Sequence, residues 1–174
     1  MSAPTFRAIG VVHTPFTNRD DTPLQPAFAH DVTGEVRFDP RYRDALDGVT
    51  GFTHLWLVTW LARFDEQAPE PELQQVPLLL RDDPKVLGIF ATRGPRRPNP
   101  IGLSLVRVLS VEETTIRFAG VDLIDGTVVL DVKPYVTMFD QPVGDIQCGW
   151  FDDRLGTDNA RLGSETGQGA HPCA

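Results

Sequence analysis

The sequence predicts a mainly β protein, a barrel or a sandwich with one or two short helices and a polar C-terminal tail. Three observations lead there. Short runs rich in β-branched and aromatic residues recur as far as Val132, apolar residues almost never repeat at helical spacing, and 15 prolines and 15 glycines break the chain between the runs. Many short strands with few helices bury a core only by packing sheet on sheet or by closing a sheet on itself.

Taken in order, residues 6–13 read as the opening strand. Pro15, Pro23 and Pro26 then hold residues 14–26 in a turn-rich segment. Residues 34–38 alternate like a strand. Asp39 is placed to cap, and Pro40 to open, a short helix over residues 41–47 that Gly48 ends. Residues 53–61 are apolar on both faces and read as a central strand covered on both sides, with His54 a core histidine. Pro69, Pro71 and Pro77 make the next stretch a long loop, and residues 86–90, 103–109, 115–119 and 127–132 read as short strands. Past Asp153 the chain has little to bury. The predicted organisation is one domain over residues 1–153 and a flexible polar tail over 154–174.

Composition narrows the function. Of the 174 residues, 41% are hydrophobic, ordinary for a globular domain. No apolar run approaches the roughly 18 to 20 residues needed to cross a bilayer, and the first residues lack the pattern of a secretory signal. Cys148 and Cys173 are too few for a disulfide framework and are not spaced like a zinc site. A cytoplasmic protein with no membrane partner is expected. His13, His30, His54 and His171 stand at no metal-ligand spacing, so no metal is predicted. The formal charge of −8 opposes a nucleic-acid partner unless positive charge is gathered in one place.

It is gathered in one place. Between Val86 and Val111 there are four arginines and no aspartate or glutamate. Arg93, Arg96 and Arg97 share a loop with Pro95, Pro98, Asn99 and Pro100. A guanidinium presents a planar fork suited to carboxylates, phosphates and base edges, and prolines reduce the entropy lost on gripping a ligand. The alternative is a solvated turn whose arginines pair with acidic neighbours. Asp122, Leu123, Ile124 and Asp125 lead into Gly126, and Asp125-Gly126 is a hairpin-turn signal between apolar runs. By spacing alone this is a hairpin tip, although its acids could also hold hydroxyls or a cation. Gln25, between Leu24 and Pro26, carries both donor and acceptor and could read a purine edge.

These segments resemble the TsaA-like, or TrmO, family of tRNA methyltransferases. The resemblance rests on Ala91-Thr92-Arg93, Arg97 through Leu105, Asp122 through Thr127, and Leu130 through Tyr135. Ile9 to Val11, Thr14 to Phe16, Gln25-Pro26 and Phe52 to Trp56 support it in the family's order, over residues 6 to 140. It implies a single β-barrel outside the dinucleotide-binding folds, a homodimer, and S-adenosyl-L-methionine bound near the subunit interface. It implies methylation of N6 of threonylcarbamoyladenosine at tRNA position 37, in the anticodon loop of threonine tRNAs. Carried over by position, Gln25, Pro26, Arg93, Leu103, Asp122, Leu123, Ile124 and Asp125 are the expected cofactor contacts. Arg97, Asn99, Lys133 and Tyr135, with Asp131, fall in the motifs as candidates for catalysis. An acylated N6 is a weak nucleophile, so Arg97 or Lys133 is expected to stabilise charge on the carbamoyl oxygen or to grip the threonyl carboxylate. The chain departs from longer bacterial members in having only the polar tail after the barrel, and Ala62-Arg63 where they often carry a His-Gln pair. The alternatives are methylation of a small molecule or another acceptor, and a non-catalytic module that binds the cofactor as a signal.

Overall fold

Alternation of inward and outward side chains decides the architecture. A computed structural model describes residues 5–61 and 72–154. Six strands dominate it: β1 Gly10–His13, β2 Thr33–Phe38, β3 His54–Trp60, β6 Ile101–Glu112, β7 Thr115–Ala119 and β8 Val128–Pro134. They close into an antiparallel barrel in the order β1-β2-β7-β6-β3-β8. Two short strands, β4 Gln74–Gln75 and β5 Leu87–Gly88, form a separate ribbon. Closure leaves the six main strands without free edges.

β3 runs between β6 and β8. Its Leu55, Leu57 and Thr59 point inward and are buried, while His54, Trp56, Val58 and Trp60 face outward and are half-buried. The expectation of a strand covered on both sides is therefore corrected. The outer face gains only partial cover, Trp56 from Tyr135 at 6.1 Å and Trp60 from Phe6 at 5.8 Å between ring centroids. His54 is accordingly not a core histidine; its Nδ1 lies 3.0 Å from the Thr53 hydroxyl on that outer face. Inside, Val12, Val36, Phe38, Leu57, Val106, Ile116, Phe118 and Val129 fill the barrel. Each such side chain contributes roughly 1.5 to 3 kcal/mol by leaving water.

The 120–127 link positions the site, and it is not a hairpin tip. β7 pairs with β2 and β6, and β8 pairs with β1 and β3, so the two strands it joins stand across the barrel from each other. The link must cross the open end. Gly120, at φ 84°, starts that crossing in a backbone conformation side chains resist. Val121 and Leu123 drop into the core as a plug, and the Ile124–Thr127 turn ends it, Thr127 N donating to Ile124 O at 3.1 Å. The Asp125-Gly126 signal marked a real turn but not a hairpin, because local sequence cannot tell which strands a turn connects.

Other elements differ in extent. The helix expected after Asp39 is a 3₁₀ helix, Pro40–Leu46, with Asp39 accepting from Arg41 N as a cap should. The opening strand shortens to Gly10–His13, and the strand expected over 86–90 is only β5, followed by a 3₁₀ turn, Ile89–Ala91. A single helical turn, α1 Thr137–Asp140, follows β8, and residues 150–154 are helical. Arg154 is held by Asp82 at 2.8 Å, so the residue where the tail was expected to begin is anchored. The rest of the predicted tail lies outside the described residues.

Candidate functional site

A cleft of about 790 Å³ opens where the link, the start of β6 and two loops meet at the end of β3. Its walls include Gln25 from one loop, Arg93 and Arg97 from the other, Leu103 and Ser104 from β6, and Asp122 and Leu123 from the link. Three regions distant in sequence, the Gln25 loop, the arginine loop that runs into β6, and the 120–127 link, thus converge because the barrel brings their ends together.

The wall formed by β6 depends on Gly102. It stands opposite Thr59 of β3, and a Cβ at this position would collide with the Thr59 hydroxyl. Two residues on, in the same inward phase, Ser104 Oγ donates to Asp122 Oδ1 at 2.6 Å. Asp122 is largely buried, and that burial pushes its pKa up from 3.8 to about 6 against the opposing pull of Ser104, its own backbone and the Arg93 charge.

Above this carboxyl, Arg93 Nε donates to Gln25 Oε1 at 2.8 Å, fixing one edge of the guanidinium. Gln25 is itself oriented by its Nε2 donating to Leu24 O at 2.6 Å. Arg97 turns inward. Its Nη1 donates to the carbonyls of Ile89 and Thr92, at 2.9 and 2.8 Å, with its guanidinium 5.8 Å from the Phe90 ring. Thr92, buried, donates to Ile89 O and accepts from Gln75 Nε2, and Trp150 Nε1 donates to Ala91 O at 2.7 Å. Hydrogen bonds to the loop's own carbonyls stiffen it alongside the prolines.

The expected site residues divide accordingly. Gln25, Arg93, Arg97, Leu103, Asp122 and Leu123 line the cleft. Pro26 is not in the lining; it packs beside the start of the link, its Cβ 3.8 Å from where a Cβ on Gly120 would stand. Ile124 sits in the turn, its carbonyl engaged by Thr127, and Asn99 is exposed with its carbonyl accepting from Ile101 N. Asp125 faces the other way, 3.2 Å from His13 Nδ1 and accepting from Thr14 N at 3.3 Å. Lys133 and Tyr135 stand apart from the cleft. Lys133 is exposed, pairs with Asp131 at 2.8 Å and lies opposite Trp56, while Tyr135 N bonds His54 O. Leu61, at the cleft and just past the end of β3, is five residues along the chain from Trp56, roughly 16 Å at strand spacing.

Reading the sequence missed Ser104, Gly102, Leu61, Arg19 and Arg81, all of them cleft residues. Strand alternation could have found Ser104, since it shares the inward face with Gly102 and Val106. Nothing local could have found Arg19 or Arg81. Among the described residues no cluster of three histidines, cysteines or acids could hold a metal, and no helix is long and apolar enough to cross a membrane.

Residues 11–141 match the family model for the tRNA-methyltransferase O N-terminal domain. A probable S-adenosyl-L-methionine-binding protein of Pyrococcus abyssi is 36% identical over 152 residues, covering 86% of this chain and 77% of that protein. The tRNA (adenine(37)-N6)-methyltransferase of Escherichia coli is 34% identical over 78% of this chain and 59% of that protein. The crystal structure of TrmO from Pseudomonas aeruginosa superposes with a TM-score of 0.68 at 32% identity, covering 85% of this chain and 62% of that one. The chain thus spans under two thirds of the latter two.

Proposed function

The chain belongs to the tRNA-methyltransferase O N-terminal domain family, and from that premise we propose that it is an S-adenosyl-L-methionine-dependent tRNA methyltransferase acting on N6 of adenosine 37. The acceptor proposed is threonylcarbamoyladenosine in the anticodon loop of threonine tRNAs. One observation carries the reading: Gln25, Arg93, Leu103, Asp122 and Leu123, expected separately as cofactor contacts, line a single cleft.

The donor set suits S-adenosyl-L-methionine. A largely buried carboxylate, Asp122, matches a cation or ribose hydroxyls, and the outer edge of Arg93 matches a carboxylate. Leu61, Leu103 and Leu123 offer apolar cover, and the volume falls within the range of small-molecule sites. When bound, the cofactor supplies a methyl group activated by an adjacent sulfonium. The chain's own contribution is orientation. Ser104 fixes one oxygen of Asp122, Gln25 fixes Arg93, and Arg97 holds the loop from within. Holding donor and acceptor in line converts a bimolecular encounter into an intramolecular one. Arg97 therefore acts by keeping the cleft in shape, and Lys133 and Tyr135, which stand apart from this cleft, would serve catalysis only at the cleft of a second copy of the chain.

A homodimer is proposed on that account. Met138, Phe139 and Val143 are 85, 81 and 103% exposed, an apolar arm whose burial a partner subunit would supply. A cytoplasmic location is proposed with the tRNA acceptor. Calorimetric titration with S-adenosyl-L-methionine tests the cofactor, and radiolabelled methyl transfer to tRNA with and without threonylcarbamoyladenosine tests the acceptor. Cofactor binding without transfer to either RNA would refute the tRNA reading.

A further inference from the structure

Four arginines and two aspartates line the cleft: Arg19, Arg81, Arg93 and Arg97 with Asp20 and Asp122. Two of the arginines are occupied. Arg93 holds Gln25 on one edge and turns the other to the cofactor's carboxylate in the reading above, and Arg97 holds two carbonyls of its own loop. Arg19 and Arg81 are exposed at the rim, and among the described residues neither side chain makes a hydrogen bond or an ion pair. They arrive from different loops, Arg19 from the segment before Gln25 and Arg81 from the end of the 3₁₀ turn Leu78–Leu80.

Acids adjacent in sequence would be expected to neutralise them, and the fold draws those acids away. Asp82, next to Arg81, is bound by Arg154 at 2.8 Å, and Asp83 is approached by Arg154 and Lys85 at 3.9 Å. The Arg154 side chain is only 17% exposed, so this clamp is built into the packing. Beside Arg19, Asp21 accepts from Asn18 Nδ2 at 2.5 Å, within its own loop. Asp20 alone stays at the cleft with them.

We infer that Arg19 and Arg81, rather than Arg93 or Arg97, take an oxyanion of the acceptor nucleotide at the cleft mouth. This rests on the tRNA reading above. A guanidinium at such a rim suits a carboxylate or a phosphate equally, so the oxyanion is either the threonyl carboxylate of the modified base or a backbone phosphate beside it. Arg154 acts as a positioning residue, keeping Asp82 and Asp83 from competing for Arg81.

The test measures binding of the full chain to tRNA with and without threonylcarbamoyladenosine across a salt series, for Arg19→Ala, Arg81→Ala and their lysine counterparts. Arg43→Ala, in the 3₁₀ helix Pro40–Leu46 that contributes nothing to the cleft lining, removes the same charge elsewhere. S-adenosyl-L-methionine titration of every variant reports whether the cleft is intact. Each alanine variant should bind about fivefold more weakly near physiological salt with cofactor affinity unchanged. An equal loss on both RNAs, a salt slope shallower by about one and recovery with lysine assign the phosphate. A loss confined to the modified RNA assigns the carboxylate. Unchanged RNA affinity in both alanine variants, an equal loss in Arg43→Ala, or a parallel loss of cofactor affinity overturns the inference. Wild-type chain that binds cofactor but neither RNA overturns the tRNA reading itself, and this inference with it.

Discussion

Replacing Asp122 with asparagine should make the protein more stable at neutral pH while removing its hold on the cofactor. Burial raises the Asp122 pKa from 3.8 to about 6. A rise of that size corresponds to about 3 kcal/mol favouring the protonated over the ionised carboxyl inside the fold. Below pH 3.8 the group is neutral in both folded and unfolded chains, and its burial adds no pH-dependent penalty. Between 3.8 and about 6 the unfolded chain releases the proton while the folded chain keeps it, so stability falls as pH rises. Above about 6 the penalty is complete and constant. Asparagine keeps an oxygen for Ser104 Oγ and carries no titrating proton. The stability of Asp122→Asn relative to wild type should therefore grow by about 2 to 3 kcal/mol between pH 4 and pH 7.5. In a chain of this length that is a relative rise in Tm of roughly 5 to 10 °C. Thermal unfolding of both proteins at the two pH values measures it, and acids titrating elsewhere cancel in the difference. A Tm difference that is the same at both pH values would refute the reasoning, because burial of a charge would then not be what the substitution relieves.

Three further outcomes follow from the same geometry. S-adenosyl-L-methionine affinity should be about tenfold weaker at pH 5 than at pH 7.5, because a cation beside Asp122 needs the ionised form; calorimetry at the two pH values reads it, and Asp122→Asn should lose the dependence. Arg97→Ala removes a charged donor from two loop carbonyls and should lower stability by about 1.5 to 3 kcal/mol while weakening cofactor binding, whereas a purely catalytic arginine would lower turnover with Tm and binding intact. Gly102→Ala drives a methyl into the buried Thr59 hydroxyl and should destabilise by about 1 to 3 kcal/mol in urea unfolding, whereas Thr59→Val, which removes a buried hydroxyl with no hydrogen-bond partner among the described residues, should be neutral or stabilising.

What the sequence revealed divides between local and distant information. Strands β6, β7 and β8 were legible because their inward residues alternate and their ends carry turn residues. The Asp39 cap was legible for the same local reason. The crossing of the 120–127 link was not, since Asp125-Gly126 looks the same whether its strands pair or stand across a barrel. β3 misled because outward Trp56, Val58 and Trp60 are as apolar as inward Leu55 and Leu57, and only neighbours such as Phe6 and Tyr135 explain why half-buried positions carry them. In the site, Arg93 and Asp122 were named from motifs that barrel closure unites. The inward turn of Arg97 depends on the carbonyls of Ile89 and Thr92, and no spacing rule announces that an arginine will be used up by its own loop.

The formal charge of −8 counts for less against a nucleic-acid partner than it first does. Exposed charges are screened over about 8 Å at physiological ionic strength, so a group entering the cleft responds chiefly to the cleft's own lining. That lining is ordered by depth. The carboxylate lies innermost, where low polarity strengthens its attraction for a cation, and the unpartnered guanidinium groups lie outermost, where a polyanion can reach them without being desolvated. A cationic donor and an anionic acceptor would thus sort themselves to opposite ends of one cleft. That arrangement serves methyl transfer, since the nucleophile must approach the methyl carbon opposite the sulfur with donor and acceptor held in line. The acidic remainder of the surface bears on the rate of encounter, which salt can tune, and not on which end of the cleft each reactant occupies.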